Sequence, residues 1–194
     1  MFWIGITLAV FTIVVPVYST PCDIPQLLQG NIVKITHVAG DVTRPSVERS
    51  SFSYDALGQR YYANVQLDDG TSYQFIKLYK EKKVFKILSD GTCQIFRTRS
   101  TDTFPLLKIP TSKFEVRLSS APELNVYSGS THKGQFVVST LGNRCLPLAW
   151  TEYLPLGPRF LVKEQHFSGI DEQVDFNKFN PPSTCVKPRF LVPW

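Results

Sequence analysis

Apolar and polar residues alternate along much of this chain with the period of two that is typical of β-strands. The alternation is clearest from Arg60 to Leu67, where Tyr61, Ala63 and Val65 share one face. No stretch of helical length has a period of 3.6. The predicted strands are residues 31–38, 60–67, 72–79, 83–88, 93–97, 113–118, 134–140 and 159–167.

Two short polar segments between these strands have the composition of tight turns. Asp68-Asp69-Gly70 separates two strands and predicts a hairpin over residues 60–79, and Ser89-Asp90-Gly91 predicts a second tight turn. Many short antiparallel strands joined by polar turns indicate an all-β domain, either a sandwich or a strongly curved, partly closed barrel.

Several strands carry large apolar side chains on both faces. Phe75, Ile76 and Leu78 are one example, and Phe136, Val137 and Val138 are another. Such strands need cover on both sides, from a second sheet, a ligand or a partner subunit. A well-filled core explains any single one of these residues equally well.

The first 19 residues are apolar and uncharged, and they end in a small residue. This pattern predicts a signal peptide at residues 1–19, cleaved after Ser19, and a single β domain at residues 20–194. A membrane anchor is the alternative because the run is nearly long enough to span a bilayer. However, Pro16 interrupts the run and no basic residue follows directly, so we expect a secreted, extracellular protein.

The charge and the cysteines fit an extracellular protein. Of the charged residues, 21 are basic and 16 acidic, a net charge of +5 that is spread along the chain. This pattern gives no reason to expect nucleic-acid binding. The four cysteines contain no CxxC pair and the three histidines are scattered, so two disulfides are expected, with three connectivities open.

The search for catalytic motifs gives no candidate. GxSxG, HExxH and nucleotide-binding glycine motifs are absent from the sequence, and oxidised cysteines cannot act as nucleophiles. Asp171, Glu172 and Asp175 form an acidic segment without EF-hand spacing, which a solvated turn explains. We therefore expect a protein that is not an enzyme and has no cofactor and no dedicated metal site.

The segment from Phe167 to Cys185 is unusual in composition. Phe176 and Phe179 precede the rigid pair Pro181-Pro182, which is incompatible with a helix or an inner strand. We expect a stiff loop with buried aromatic side chains, anchored to the body by Cys185.

A series of short motifs follows in order along nearly the whole mature chain. The motifs are Pro21-Cys22, Ser53-Tyr54-Asp55, Leu78-Tyr79-Lys80-Glu81-Lys82, Cys93, Leu107-Lys108-Ile109-Pro110, Cys145-Leu146-Pro147, Phe167, Gly169-Ile170-Asp171 and Phe179-Asn180-Pro181-Pro182-Ser183-Thr184-Cys185. In their order and spacing they resemble the ependymin-related family of secreted animal proteins. The chain departs from the family at Gly169-Ile170-Asp171-Glu172, where a proline often follows the aspartate, and it lacks any Asn-x-Ser/Thr acceptor for the glycans tied to calcium binding.

The resemblance implies two antiparallel sheets that form a curved sandwich or half-barrel around an apolar pocket, similar to bacterial lipoprotein carriers. It also implies disulfides Cys22–Cys145 and Cys93–Cys185 and a homodimer. The tail 186–194 is largely apolar and lies past the last cysteine, so it either packs along a sheet edge or across the dimer contact, or frays. The first function implied is binding of a hydrophobic small molecule, a fatty acid or lipid. The alternative is a component of extracellular or shell matrix, or of cell–matrix adhesion, with weak calcium binding. The expected pocket lining is Tyr61, Val65, Phe75, Leu78, Phe85, Ile87, Phe114, Val116, Phe136, Val138 and Phe160.

Overall fold

The computed structural model describes residues 23–98, 104, 109, 114–118 and 124–186, and for residues 114–118 it describes the backbone. The described chain is built almost entirely of β-strands, followed by two short 3₁₀ helices. The strands are β1 (Leu27–Val38), β2 (Ser46–Asp55), β3 (Arg60–Leu67), β4 (Ser72–Leu78), β5 (Lys83–Leu88), β6 (Cys93–Arg97), β7 (Phe114–Leu118), β8 (Leu124–Thr131), β9 (Gly134–Leu141), β10 (Leu146–Leu156) and β11 (Arg159–Asp171).

All eleven strands belong to one antiparallel sheet. Its order is β6-β5-β4-β3-β2-β1-β11-β10-β9-β8-β7, so two meanders meet where β1 pairs with β11. The predicted antiparallel all-β class is confirmed, and the strands form one continuous sheet where two were expected. Within the described ranges, no helix is long and apolar enough to cross a membrane.

The two Asp-Gly turns have the same hydrogen bonds. In the first, Leu67 N donates to Thr71 O, and in the second Leu88 N donates to Thr92 O, each at 2.9 Å. The turn glycines have φ angles of +83° and +81°, which side chains with a Cβ rarely adopt. Both predicted turns are therefore present and set the register of β3–β4 and β5–β6.

The sheet has two faces, which the register defines. We call one the Phe52 face, because Phe52, Tyr61 and Val138 lie on it, and the other the Phe85 face. Neighbouring strands repeat the apolar pattern of the Phe52 face across most of the sheet, so its buried side chains form one large cluster. That cluster contains Ile24, Leu28, Ile32, Phe52, Tyr54, Ile109, Tyr127, Phe136, Val138 and Phe167.

The C-terminal segment packs against the Phe85 face. It contains the 3₁₀ helices η1 (Phe176–Phe179) and η2 (Ser183–Val186), with Pro181-Pro182 between them. Asp175 caps η1 by accepting a hydrogen bond from Asn177 N, and Phe179 is 2% exposed. The stiff, anchored loop predicted from the sequence is present, although Phe176 is 48% exposed rather than buried.

One disulfide holds this segment to the sheet. Cys93 of β6 is bonded to Cys185 of η2, with their Cα atoms 5.3 Å apart, as the second-to-fourth pairing predicts. Cys145 also lies in a disulfide. Its predicted partner Cys22, the predicted signal peptide and tail residues 187–194 lie outside the described residues.

Candidate functional site

A cleft of about 530 Å³ lies between strands β4–β6 and the C-terminal segment. Pockets that hold small molecules usually measure about 300–1,000 Å³. The strands form one wall and the η1–Pro181–Pro182–η2 segment forms the other. The lining residues are Arg60, Leu78, Glu81, Lys83, Phe85, Ile95, Arg97, Phe179, Asn180, Pro181, Pro182 and Cys185.

The floor of the cleft is apolar because three buried side chains meet there. Leu78, Phe85 and Phe179 are 7%, 6% and 2% exposed and belong to one cluster, against which the half-buried Ile95 packs. Burial of each large apolar side chain contributes about 1.5–3 kcal/mol to folding. The same side chains that stabilise the segment therefore give the cleft its apolar surface.

Arg60 joins the sheet to the C-terminal segment beside the cleft. Its Nε and Nη2 donate to Asp55 Oδ2 at 2.8 and 2.5 Å, and Asp55 is 2% exposed. Its guanidinium carbon also lies 4.7 Å from the ring centroid of Phe179 and 5.2 Å from that of Phe176. Such charge-assisted hydrogen bonds and cation–π contacts fix the guanidinium. Arg60 is thus a rigid part of the wall.

The disulfide sets the position of the opposite wall. The Cys93–Cys185 bond joins residues 92 positions apart, and Cys185 itself lines the cleft. A crosslink over a loop of this length stabilises a fold by about 4–5 kcal/mol in the chain-entropy model. The segment is therefore held beside β4–β6 covalently, in addition to the burial of Phe179.

Of the predicted pocket residues, only some lie at this cleft. Leu78 and Phe85 line it, and Ile87 belongs to the same cluster. The prediction missed Ile95, Phe179 and the cationic residues, although the Phe179–Cys185 segment carried a signal in its adjacent prolines and cysteine.

A second group of predicted pocket residues lies on the Phe52 face, so the sheet separates it from the cleft. Burial, followed by the nearby Glu48 carboxylate, raises the pKa of the Tyr61 phenol well above its ordinary value, which keeps the hydroxyl neutral. This second group contains Tyr61, Val65, Phe75, Phe136 and Val138. The predicted residues are thus divided between the two faces of the sheet, because alternation directs neighbouring residues to opposite faces.

Three predicted residues remain: Phe160, Phe114 and Val116. Phe160 is 46% exposed at the start of β11, where its carbonyl accepts a hydrogen bond from Ala39 N. The side chains of Phe114 and Val116 lie outside the described part of the chain.

The acidic segment is engaged in local contacts. Asp171 accepts a hydrogen bond from Gln173 N at 3.0 Å, and Glu172 accepts one from Arg144 Nη1 at 2.8 Å. Among the described residues, no group of three or more His, Cys, Asp or Glu side chains could hold a metal ion.

No family model matches the sequence, and no curated protein matches it. The structure is similar to that of an uncharacterized conserved protein from Thermus thermophilus, with 10% identity, a TM-score of 0.51 and coverage of 85% of this chain and 91% of that chain. A LolA-superfamily protein from Nitrosomonas europaea has 9% identity, a TM-score of 0.40 and coverage of 82% and 92%. The first similarity shows a shared fold only, and the second is too low to support an argument.

Proposed function

We propose that this is a secreted, non-enzymatic protein that binds a hydrophobic small molecule, such as a fatty acid or lipid, in the cleft beside η1 and η2. The observation that carries the proposal is a space of about 530 Å³ whose floor is formed by Leu78, Phe85 and Phe179. Large apolar surfaces at a concave site are the usual basis of small-molecule binding.

The cleft walls support binding because they are fixed before a ligand arrives. Arg60 is held by Asp55, and the opposite wall is held by the Cys93–Cys185 disulfide. A preformed site avoids the free-energy cost of ordering its walls on binding. Secretion is supported by the signal-like pattern at residues 1–19 and by disulfide bonding, which is typical of extracellular proteins.

Membership of the ependymin-related family is part of the same proposal. Its support is the order of the motifs from Pro21-Cys22 to Cys185, together with an antiparallel all-β fold and the second-to-fourth cysteine pairing.

Binding of a neutral solvatochromic dye tests the proposed function. Ile95→Asp should abolish the rise in dye fluorescence, because it replaces an apolar surface of the cleft with a carboxylate that is costly to dehydrate. Phe75→Asp is the matched control, since Phe75 is also half-buried but lies on the Phe52 face. Equal dye binding by the two folded variants and the wild type, or no dye binding by the wild type, would reject the cleft as the site.

A matrix or adhesion role is the second candidate, and one observation favours it. Val42 is 101% exposed in the segment after β1, and Leu156 is 51% exposed at the end of β10. The Ala39–Phe160 hydrogen bond joins the segment after β1 to the start of β11, which follows β10. Clustered exposed apolar residues mark contact surfaces. Sedimentation tests the homodimer that this role implies. The double variant Val42→Asp/Leu156→Asp should sediment as a monomer and the wild type as a dimer. A monomeric wild-type protein would reject the homodimer.

A further inference from the structure

We propose that the ligand of the cleft is an anionic amphiphile, whose carboxylate or phosphate head lies between Lys83 and Arg97 and whose apolar chain lies over Phe85, Ile95 and Phe179. This inference rests on the proposed function, because it specifies the chemistry of the molecule bound at the same site.

The first argument is the position of two cations in the sheet. Lys83 of β5 and Arg97 of β6 are directly opposite each other in the antiparallel register, and both side chains line the cleft. Like charges at directly opposed positions destabilise a strand pair. An anion between the two side chains removes that repulsion and forms charge-assisted hydrogen bonds with both.

The second argument is that the carboxylates among the described residues of the cleft do not balance these charges. Three cationic side chains and one carboxylate, Glu81, line the cleft. Glu81 Oε2 lies 3.4 Å from Lys83 Nζ, and both side chains are more than half exposed, so their mutual attraction is weak. Arg60 forms its ion pair with Asp55. Arg97 has no carboxylate partner among the described residues.

The third argument is the order of polar and apolar rows along the strands. Leu78, Lys83 and Arg97 form one cross-strand row, and Ile76, Phe85 and Ile95 form the next row on the same face. Two residues along a strand span about 7 Å. The charged row and the apolar row therefore meet within one cleft, as the head and chain of an amphiphile require.

The chemistry of the head follows from the donors. Arg97 offers a planar fork of N–H donors and Lys83 a compact ammonium, and both bind carboxylate and phosphate oxygens. A neutral head such as an alcohol lacks the charge, and an ammonium head would be repelled. The cleft thus selects an anionic head, which a fatty acid or a phosphorylated single-chain lipid would supply.

The experiment compares ligands that share one chain and differ in the head. Dodecanoate, dodecyl phosphate, dodecanol and dodecylammonium are each used to displace the neutral dye from the wild-type protein. We expect dodecanoate or dodecyl phosphate to bind about tenfold more tightly than dodecanol, since one charged hydrogen bond contributes about 1.5 kcal/mol. Tighter binding of one of these two anions shows whether the ligand of the cleft carries a carboxylate or a phosphate head.

Charge-removing variants locate the head. Arg97→Gln and Lys83→Gln should each weaken dodecanoate or dodecyl phosphate binding by about tenfold and leave dodecanol unchanged. Lys86→Gln is the matched control, because Lys86 lies on the same strand as Lys83 but faces Tyr73 on the Phe52 face, 4.6 Å from its ring.

The outcomes separate the two proposals. If dodecanol binds as tightly as both anions, or if Lys86→Gln has the same effect as Arg97→Gln, the anionic head is rejected while dye binding still supports a hydrophobic site. If neither the dye nor any of the four amphiphiles binds, the proposed function itself is wrong.

Discussion

The two faces of the sheet bury apolar side chains in different ways. On the Phe52 face one cluster crosses the junction of the two meanders, and Phe52 of β2 packs edge-to-face on Phe167 of β11 with centroids 6.2 Å apart. On the Phe85 face the buried cluster is confined to β3–β6 and the C-terminal segment. Nearer β1 and β11 this face exposes the polar side chains of Asn31 and His166, and Val162 of β11 is buried there outside that cluster.

This comparison of the two faces shows where a binding site can form on a single sheet. Side chains from many strands pack together on the Phe52 face, which serves stability. The Phe85 face is covered by a separate segment that a disulfide holds in place, and such a cover leaves space beside it. Four changes test this division between a stabilising face and a ligand-binding face.

Removal of the Cys93–Cys185 disulfide should have the largest effect. The double variant Cys93→Ser/Cys185→Ser is expected to lower the free energy of unfolding by about 4–5 kcal/mol, because the unfolded chain gains the entropy of a long loop. Dye binding should disappear as the segment leaves the sheet. Urea denaturation and dye titration measure the two effects, and undiminished dye binding would show that the cleft does not depend on the anchored segment.

Truncation of one buried phenylalanine on each face should come next. Phe52→Ala and Phe179→Ala should each lower the free energy of unfolding by about 3–4 kcal/mol, since both side chains are 2% exposed. Only Phe179→Ala should also weaken ligand binding. Loss of binding in a folded Phe52→Ala protein would contradict the division between the faces.

The Asp55–Arg60 pair should have an intermediate effect. Asp55→Asn removes the charge that holds Arg60 and is expected to lower the free energy of unfolding by about 2 kcal/mol. Freed from Asp55, Arg60 can itself attract an anion, so dodecanoate should bind no more weakly to this variant. Thermal melts and the displacement assay provide the measurements, and tenfold weaker dodecanoate binding would show that the site depends on Asp55 holding Arg60 in position, not on Lys83 and Arg97 alone.

The smallest effect is expected at the two Asp-Gly turns. Hydrogen bonds from the backbone and side chain of Thr71 lower the pKa of Asp69, and those from Thr92 lower that of Asp90. A lowered folded-state pKa contributes stability above the ordinary carboxyl pKa, and this is lost as pH falls through the folded-state value. Wild type should therefore lose slightly more stability on acidification than Asp69→Asn or Asp90→Asn, measured by melting between pH ~6 and ~2.

Only the second turn belongs to the hairpin that carries Ile95 and Arg97. Asp90→Asn should therefore weaken dodecanoate binding slightly, whereas Asp69→Asn should not. A larger effect of Asp69→Asn would contradict the assignment of the site to the β5–β6 end.

Much of the fold could be predicted because alternation and turn residues are local signals. The predicted strands 60–67, 83–88 and 93–97 coincide with β3, β5 and β6. Strand β2 was missed because serines occupy its centre, where Ser50 and Ser53 are buried. Strand β10 was missed because Pro147 and Pro155 lie within it, and the register indeed shifts between Pro147 and Ala149.

The site could be predicted only in part, because the alternation shows which residues share a face but not which face a distant segment covers. Leu78 and Phe85 are among the predicted pocket residues, but nothing local to them indicates contact with Phe179. The opposition of Lys83 and Arg97 likewise depends on the β5–β6 register. Sequence patterns therefore indicated two residues of the floor, and the tertiary structure added the third, Phe179, together with the cover and the charges.

The most direct test of the binding site is a photo-crosslinking map. A dodecanoate analogue with a diazirine in its chain would be irradiated with the folded wild-type protein, and the labelled residues identified by mass spectrometry. The structure predicts adducts on Ile95, Phe179 and Pro182, which surround the cleft, and their loss on competition with dodecanoate. Adducts concentrated on Tyr61, Val65 and Phe75 would place the ligand on the Phe52 face and contradict the proposal.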